Sequence, residues 1–272
     1  MLLRFTALFL AGFVVFFVAG YWAGIPQLTR TTIKFVVPVL LLLLVWGGGR
    51  VESLRPWRRV ALALLAASTG FLVSWLLADP LLQSLGITAD SVRGIALTKL
   101  ADAVLIVVPL LIVARVGGMS WKELYLCRGK QRLWLTVGIG SFGLFFGLFL
   151  MQSLGQGLSA ARLLALAPWT LIFVFSNAFM EELHFRGLLL RPFEEKLGRH
   201  PANLCIALFF TLVHAPVQYT PDILPFLTIV FVLALAWGYL IQRSDALWGS
   251  VLFHAGGDLL IVAGIYQTYG AH

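Results

Sequence analysis

Ionisable side chains recur inside apolar segments in the last third of the chain. Each charged side chain at the centre of a membrane helix costs about 2.5–3.5 kcal/mol on insertion scales, so such residues persist only in a protein-lined or water-filled interior. Carboxylates, imidazoles and a guanidinium together could activate water, move protons or bind a metal ion. The residues in question are Glu181, Glu182, Arg186, His214, His254 and Asp258.

The two adjacent carboxylates of this set have different expected surroundings. Glu182 and Arg186 are four residues apart, so they share one face of a helix and can neutralise each other. Glu181 points about 100° away and has no local partner. A carboxylate left in this way suits a general base, and histidines of neighbouring helices are its natural partners.

Two histidines lie in later helices, each with a residue of interest on its own face. His214 follows Phe210 by four residues, and His254 precedes Asp258 by four residues. Two glycines between His254 and Asp258 leave room for close approach by a substrate backbone. If these faces converge with that of Glu181, the pocket can activate water and stabilise an oxyanion, which is the chemistry of amide hydrolysis.

Counting residues along the helices raises a difficulty for this convergence. His214 lies about 18–20 Å from Pro201, the cytoplasmic start of its helix, at 1.5 Å per residue. Glu181 and His254, by contrast, fall in the cytoplasmic half of the membrane. A displaced helix, or a site close to the middle of the membrane, would resolve the mismatch. We expect the site near the middle.

The elements that position these residues are predicted to be membrane helices. The chain has 272 residues, of which 60% are hydrophobic and 12% charged, against about 25% charged in a soluble domain. Apolar runs near the 20 residues that span a bilayer recur throughout, which predicts an all-α, polytopic transmembrane bundle. Nine spans are predicted, or eight if the short second one does not cross: 4–23, 33–48, 59–78, 96–115, 134–154, 168–190, 202–218, 223–242 and 246–267.

The net charge of +8 is explained by membrane topology rather than by nucleic-acid binding. With nine spans, one side of the membrane keeps only five basic residues, and the other 15 of the 20 lie at the opposite helix ends. This bias predicts a cytoplasmic N-terminus and an external C-terminus, in a bacterial inner membrane. The five residues on the sparsely basic side are Arg30, Lys34, Arg93, Lys99 and Arg162.

No polar linker divides the chain, so we expect one integral membrane unit with two parts. Residues 1–120 carry N-terminal transmembrane helices without specific chemical signals, and residues 121–272 carry the region with the candidate site. The first segment, 4–23, is long and has a poor cleavage site, which favours an uncleaved helix over a signal peptide.

Other polar and aromatic residues are expected to have structural roles. Lys99 and Asp102 are three residues apart and are predicted to form a local ion pair. His184 is expected to face a neighbouring helix or the interface, Trp237 to anchor a helix at the membrane interface, and His272 to be a tail residue.

Three motifs, taken together and in order, resemble those of the CPBP intramembrane proteases, which include the CAAX prenyl endopeptidases and the bacteriocin-processing (ABI) type. The resemblance covers roughly residues 168–260, and residues 1–120 add nothing specific to it. The motifs are Glu-Glu-x-x-x-Arg at 181–186, Phe-x-x-x-His at 210–214 and His-x-x-x-Asp at 254–258.

The resemblance implies a role for each motif residue. Glu181 would activate the attacking water with the help of His214, while His254 and the residue four positions later would bind the substrate carbonyl as an oxyanion hole. Glu182 and Arg186 would hold the site together. This chain departs from the family at that later position, where Asp258 replaces the usual asparagine. Because an ionised aspartate repels an oxyanion, Asp258 is expected to be protonated, paired with His254 or a ligand.

The sequence leaves the question of a metal open. Two histidines and a carboxylate match a catalytic zinc shell with one open position, and Glu181, His214 and His254 would be the ligands of such a divalent ion. The spacing is not that of the HExxH motif, and the same resemblance is compatible with a glutamate-activated water that needs no ion.

The predicted function is therefore that of an intramembrane endopeptidase. Its expected partners are the lipid bilayer and a membrane-anchored protein or peptide substrate, which could be a prenylated, CAAX-like one; nucleic acid is excluded. Two alternatives remain: a catalytically silent scaffold or bacteriocin-immunity protein of the same fold, and a proton-coupled transporter. No inverted repeat or pair of broken helices favours the transporter.

Overall fold

The computed structural model describes residues 1–19, 24–216 and 222–269, and these residues fold into helices joined by short loops. The predicted all-α class is confirmed. A π-helical turn, Val14–Val18, extends α1; a second one, Glu182–Gly187, joins α6 to α7. The α-helices are α1 (Leu2–Phe13), α2 (Gln27–Gly47), α3 (Arg58–Ser84), α4 (Val92–Val116), α5 (Gln131–Gly155), α6 (Ala160–Glu181), α7 (Leu188–Leu197), α8 (Arg199–Val213), α9 (Ile223–Ser244) and α10 (Trp248–Tyr269).

Among the described residues, 7 helical stretches are long and apolar enough to cross a membrane. Two shorter apolar helices, Leu2–Val18 and Arg199–Val213, account for the remaining predicted segments. The second predicted segment is longer than expected, because α2 begins at Gln27. The ends of the first and seventh segments, and the tail residue His272, lie outside the described residues.

Helix α8 is shorter than its predicted segment, 202–218, and this shortening matters for the site. Its 15 residues extend about 22 Å, which is less than the roughly 30 Å of a bilayer core. The helix ends at Val213 and is capped by His214. Pro216 explains the stop, because a proline disfavours helical backbone at the residue before it.

Most helix ends that carry basic residues meet on one side of the bundle, here named the basic face. Arg59 at the start of α3 contacts Glu123 at 2.5 Å and Glu195 at 2.9 Å. Arg191 in α7 pairs with Asp245 after α9. The opposite face lies at the other side of the bundle. It is formed by the ends of α3, α6 and α10 that point away from these contacts and by the C-terminal end of α5.

Candidate active site

The π-helical turn Glu182–Gly187 lies directly after Glu181 and holds most of the first motif. A π-turn widens the helix by one residue and changes the direction in which side chains project, and such turns are frequent at functional sites. Glu182 and Arg186 are fully buried within it, and His184 is almost fully buried. From the sequence, this segment was expected to be a regular α-helix; the structure corrects this to a π-helical turn.

Glu182 is the hub of a buried hydrogen-bond network. Its Oε1 accepts a bond of 2.6 Å from Nη1 of Arg186 and lies 2.9 Å from Nδ1 of His254. One carboxylate therefore neutralises the arginine of its own helix and fixes the histidine ring of α10. Because Nδ1 of His254 is engaged with Glu182, Nε2 is the ring nitrogen left for chemistry.

Aromatic rings complete the surroundings of Arg186 and His254. The Arg186 guanidinium lies 4.4 Å from the ring centroid of Phe210 and 5.3 Å from that of Trp237, within the range of cation–π attraction. The Trp237 ring stacks on His254 with centroids 4.0 Å apart and an interplanar angle of 9°. The expectation that Trp237 anchors a helix at the membrane interface is thus wrong, because this side chain is buried against α10.

Glu181 differs from its neighbour in making no hydrogen bond among the described residues, whereas Glu182 is bonded through Oε1 and lacks a partner only at Oε2. Its Oε2 has no hydrogen-bond partner and lies 3.6 Å from Nε2 of His254. That distance is too long for a good direct hydrogen bond and is the kind of gap that a water molecule can bridge. The side chain is 16% exposed, whereas that of Glu182 is fully buried.

Asp258 stands on the other side of the same histidine. Its Oδ1 lies 3.6 Å from Nε2 of His254, and its Oδ2 accepts a hydrogen bond of 3.0 Å from Nδ2 of Asn177. Sequence reasoning missed Asn177. The available signal was its position one turn before Glu181, as a lone amide in an apolar transmembrane stretch.

His214 reaches this group from the end of α8. Its Nδ1 lies 2.8 Å from the carbonyl oxygen of Phe210, which leaves Nε2 without that bond. His214 lines one cavity together with His254 and Asp258. The structure therefore brings His214 to the same cavity as His254 and Asp258, despite the mismatch found by residue counting.

The cavity beside these residues has a volume of about 760 Å³ and is bounded by α5, α8, α9 and α10. This size lies within the range of small-molecule and cofactor pockets in proteins. Its walls are mainly aliphatic and aromatic, and the polar side chains cluster at its two ends. The catalytic candidates on α8 and α10 occupy one of those ends.

Two other predicted residues lie elsewhere or behave differently. Nε2 of His184 lies 3.0 Å from the Ala67 carbonyl oxygen of α3, so this histidine faces a neighbouring helix, as expected. Lys99 and Asp102 form no close ion pair among the described residues; Asp102 instead accepts a bond from Ser74 at 3.2 Å. Lys99 is on α4, which packs against α6, and is close enough to Glu181 to interact with it electrostatically.

The predicted metal ligands can be compared with the arrangement of these side chains. In the part of the chain that the structure describes, no three His, Cys, Asp or Glu side chains form a group that could hold a metal ion. Glu181, His214 and His254 are neighbours, but they do not form the set of three ligands that a catalytic zinc site uses. Whether the reaction needs a metal stays a prediction to be tested with a chelator.

Comparison with known families supports the resemblance found in the motifs. Residues 163–260 match the model of a family described as type II CAAX prenyl endopeptidase Rce1-like. No curated protein and no solved structure matches the chain. The matched segment runs from α6 into α10 and includes all three motifs, together with Asn177 and Trp237. The resemblance to the CPBP proteases is thereby confirmed for this segment, and the long apolar helices indicate an integral membrane protein.

Proposed function

We propose that this protein is an intramembrane endopeptidase that hydrolyses a peptide bond of a membrane-anchored protein or peptide. The observation that carries the proposal is the state of Glu181. Its Oε2 is inaccessible to solvent, lacks a hydrogen-bond partner and lies 3.6 Å from the free nitrogen of His254. A buried carboxylate without a partner costs stability unless a ligand or water completes it.

In the proposed reaction, Glu181 takes a proton from a water molecule as the water oxygen attacks the carbonyl carbon of the substrate. His214, whose Nε2 is left free by the contact of Nδ1 with Phe210, assists by accepting or returning a proton. The negative charge that develops on the carbonyl oxygen is stabilised by the Nε2–H of His254 in its imidazolium form, in which both ring nitrogens donate and which the neighbouring carboxylates favour. Glu181 then returns its proton to the leaving nitrogen as the C–N bond breaks, giving a carboxylic acid and an amine.

Asp258 is proposed to orient His254 rather than to bind the oxyanion itself. An ionised carboxylate would repel the developing charge, and at 3.6 Å from Nε2 of His254 Asp258 attracts the protonated ring without occupying Nε2 by a direct hydrogen bond. The amide of Asn177 holds Asp258 in place. Glu182 and Arg186 are proposed to fix the ring from the other side and to take no proton during the reaction.

No step of this proposal is routed through a metal ion. If a divalent ion is required, Glu181, His214 and His254 are the residues that would hold it, and it would polarise the carbonyl or the water as a Lewis acid. A chelator distinguishes the two reactions, because it would inhibit the metal-type reaction and leave the glutamate-type reaction unchanged.

The substrate and the membrane are proposed at the level that the family and the charge pattern support. A CAAX-type region makes a lipid-anchored or prenylated protein tail a reasonable substrate class, and a bacterial peptide precursor is the other. The 15 basic residues on one side favour a bacterial inner membrane with the N-terminus in the cytoplasm and the C-terminus outside.

The test is cleavage of a lipidated peptide library by the protein reconstituted into membranes. Wild type, Glu181→Ala and His254→Ala are compared, each with and without a chelator. We expect the wild type to cleave, both variants to lose cleavage, and the chelator to have no effect. Loss of the wild-type activity with the chelator would replace the glutamate-type reaction by the metal-type one. Equal activity in wild type and variants, or none in the wild type, would favour the scaffold or immunity function.

A further inference from the structure

Among the described residues, the cavity beside the site extends from the candidate catalytic residues toward one face of the bundle. From His254 and Asp258 it follows α10 toward its C-terminal end, where Gln267 and Thr268 line it. Its wall on α9 begins near Phe226, at the N-terminal end of that helix. All of these ends belong to the face opposite the basic one, so the cavity joins the candidate catalytic residues to the opposite face.

Toward the basic face, α5 and α10 are packed too closely to leave a passage between them. A Cβ atom added at Gly249 would lie 2.7 Å from Cβ of Trp134, and one added at Gly138 would lie 3.1 Å from the Gly249 carbonyl oxygen. One at Gly256 would lie 3.0 Å from Cα of Phe142. These contacts are between backbones and side-chain bases, so α5 and α10 close the site on this side.

Two other glycines of α10 behave in the opposite way. Gly257 and Gly264 both line the cavity, and a Cβ atom added at either would meet no other atom within 4 Å. They are seven residues apart, which places them on one face of the helix about two turns from each other. The missing side chains leave a shallow groove along the cavity wall that leads to Asp258.

We propose that this cavity binds an extended, apolar peptide segment of the substrate, which enters from the face opposite the basic one. The inference rests on the proposed peptidase function and adds to it the class of ligand and the side of entry. From Asp258 to Thr268 the groove runs about 15 Å at 1.5 Å per residue of helix. An extended chain of 3.3–3.6 Å per residue would place roughly four residues along it.

A peptide fits the chemistry of this cavity better than a hydrocarbon chain alone. The walls in the middle are apolar, with Ile229, Leu233 and Ile261 among them, while Gln152, Gln267 and Thr268 stand at the far end. Backbone N–H and C=O groups of an extended segment need hydrogen-bond partners inside a membrane, and those side chains can supply them. A hydrocarbon chain has no use for polar groups at both ends of its site.

The first experiment fills the groove without disturbing the protein. Gly264→Leu adds a side chain where the structure leaves space, about 9 Å along the helix from Asp258. The matched control is Gly143→Leu in α5, where an added Cβ also meets nothing within 4 Å and which does not line the cavity. We expect Gly264→Leu to lower kcat/KM at least tenfold, mainly through KM, with an unchanged unfolding temperature, and the control to match the wild type.

The second experiment measures the side of entry through thiol labelling. Gly264→Cys is compared with the native Cys127, which lies beside Asp245 on the basic face, and the buried Cys205 is replaced by alanine. A membrane-impermeant maleimide is added to sealed vesicles of each orientation. We expect position 264 to react from the side opposite to that of Cys127, and a hydrophobic pentapeptide to slow its reaction more than tenfold without affecting Cys127.

The outcomes separate this inference from the function on which it rests. Labelling of position 264 from the side of Cys127, or the absence of protection by the pentapeptide, overturns the inference, including the case in which only an isoprenoid alcohol protects. Wild-type activity in Gly264→Leu together with an inactive Glu181→Gln overturns the inference about the cavity but leaves the proposed peptidase function in place. If the wild type cleaves no peptide, the peptidase fails, and the labelling still decides whether the cavity opens to the opposite face.

Discussion

Two regions meet at the end of α6, and they treat adjacent glutamates differently. Toward the basic face, Glu182 is fully buried and its Oε1 contacts both Arg186 and His254. Toward the opposite face, Glu181 makes no hydrogen bond with any described residue, and it borders the cavity residues His254 and Asp258. The same side chain thus serves structure in one region and is available for chemistry in the other.

This difference shows how the bundle accommodates charge within a membrane. Ion pairs deep in a protein stay favourable only when every polar group is matched. The Glu182–Arg186 pair meets this condition in part, because its two charges contact each other while Oε2 of Glu182 and Nε of Arg186 have no partner. The Glu181 region departs from it, at the point where a substrate and water would supply the missing partners. Such a departure is expected at functional sites, where local stability is sacrificed for activity.

The largest predicted effect on stability follows from removing the hub of the paired region. Glu182→Ala leaves the Arg186 guanidinium buried without its carboxylate and frees the His254 ring. Removal of one partner of a buried ion pair costs about 3–5 kcal/mol, so we expect a strongly lowered unfolding temperature in detergent micelles. Glu181→Ala is the matched control, and a variant at 182 that unfolds like this control would remove the distinction between the two regions.

The next effect tests the closed packing between α5 and α10. Gly256→Leu forces a side chain against Cα of Phe142, which a Cβ atom alone would approach to 3.0 Å. Overpacking of this kind costs about 1–3 kcal/mol, and thermal unfolding would measure it. Gly143→Leu, on an open surface of the same helix pair, should be nearly neutral; equal stability of the two variants would contradict the closed side of the site.

A smaller effect is expected from restoring the residue that the family usually has at position 258. In Asp258→Asn, the side chain can still bond to Asn177 through its amide oxygen, and the repulsion of an oxyanion is removed. We expect unchanged stability and a cleavage rate within about tenfold of the wild type, which is about 1.4 kcal/mol in activation free energy. Complete loss of cleavage would show that the carboxylate itself takes part in the reaction.

The smallest effect concerns charges that are paired at the surface instead of within the bundle. Arg59 bridges Glu123 and Glu195, but its side chain is 55% exposed. Exposed ion pairs contribute about 1 kcal/mol or less each, so Arg59→Ala should shift the unfolding temperature only slightly, and less at high salt. A loss as large as that of Glu182→Ala would mean that the basic face carries much more of the stability than the buried pair.

The sequence predicted those parts of the molecule that depend on local spacing. Long apolar runs located the helices, because a membrane helix must be apolar over its whole length. The spacing of Glu182 and Arg186 predicted their contact, and the spacing of His254 and Asp258 placed both on one face of α10. Pro216 was also readable in the sequence as the reason for an early end of α8, although the predicted segment ran past it.

The remaining features depend on how separate helices are rotated against each other. Stacking of Trp237 on His254 and the bond from Asn177 to Asp258 connect different helices, so no spacing within one helix could predict them. The π-turn after Glu181 has no distinctive sequence signal, yet it sets which way the first motif points. The predicted ion pair between Lys99 and Asp102 was wrong for a related reason, because Ser74 of a neighbouring helix is the hydrogen-bond partner of Asp102.

The most direct test of the central claim is the cleavage rate of Glu181→Gln, measured with its unfolding temperature on the same reconstituted preparation. Because this side chain has an unpaired oxygen and no structural partner of its own, we expect an unfolding temperature like that of the wild type. The loss of a general base should lower cleavage about 10²–10⁴-fold. Cleavage at the wild-type rate in a folded Glu181→Gln protein would contradict the account.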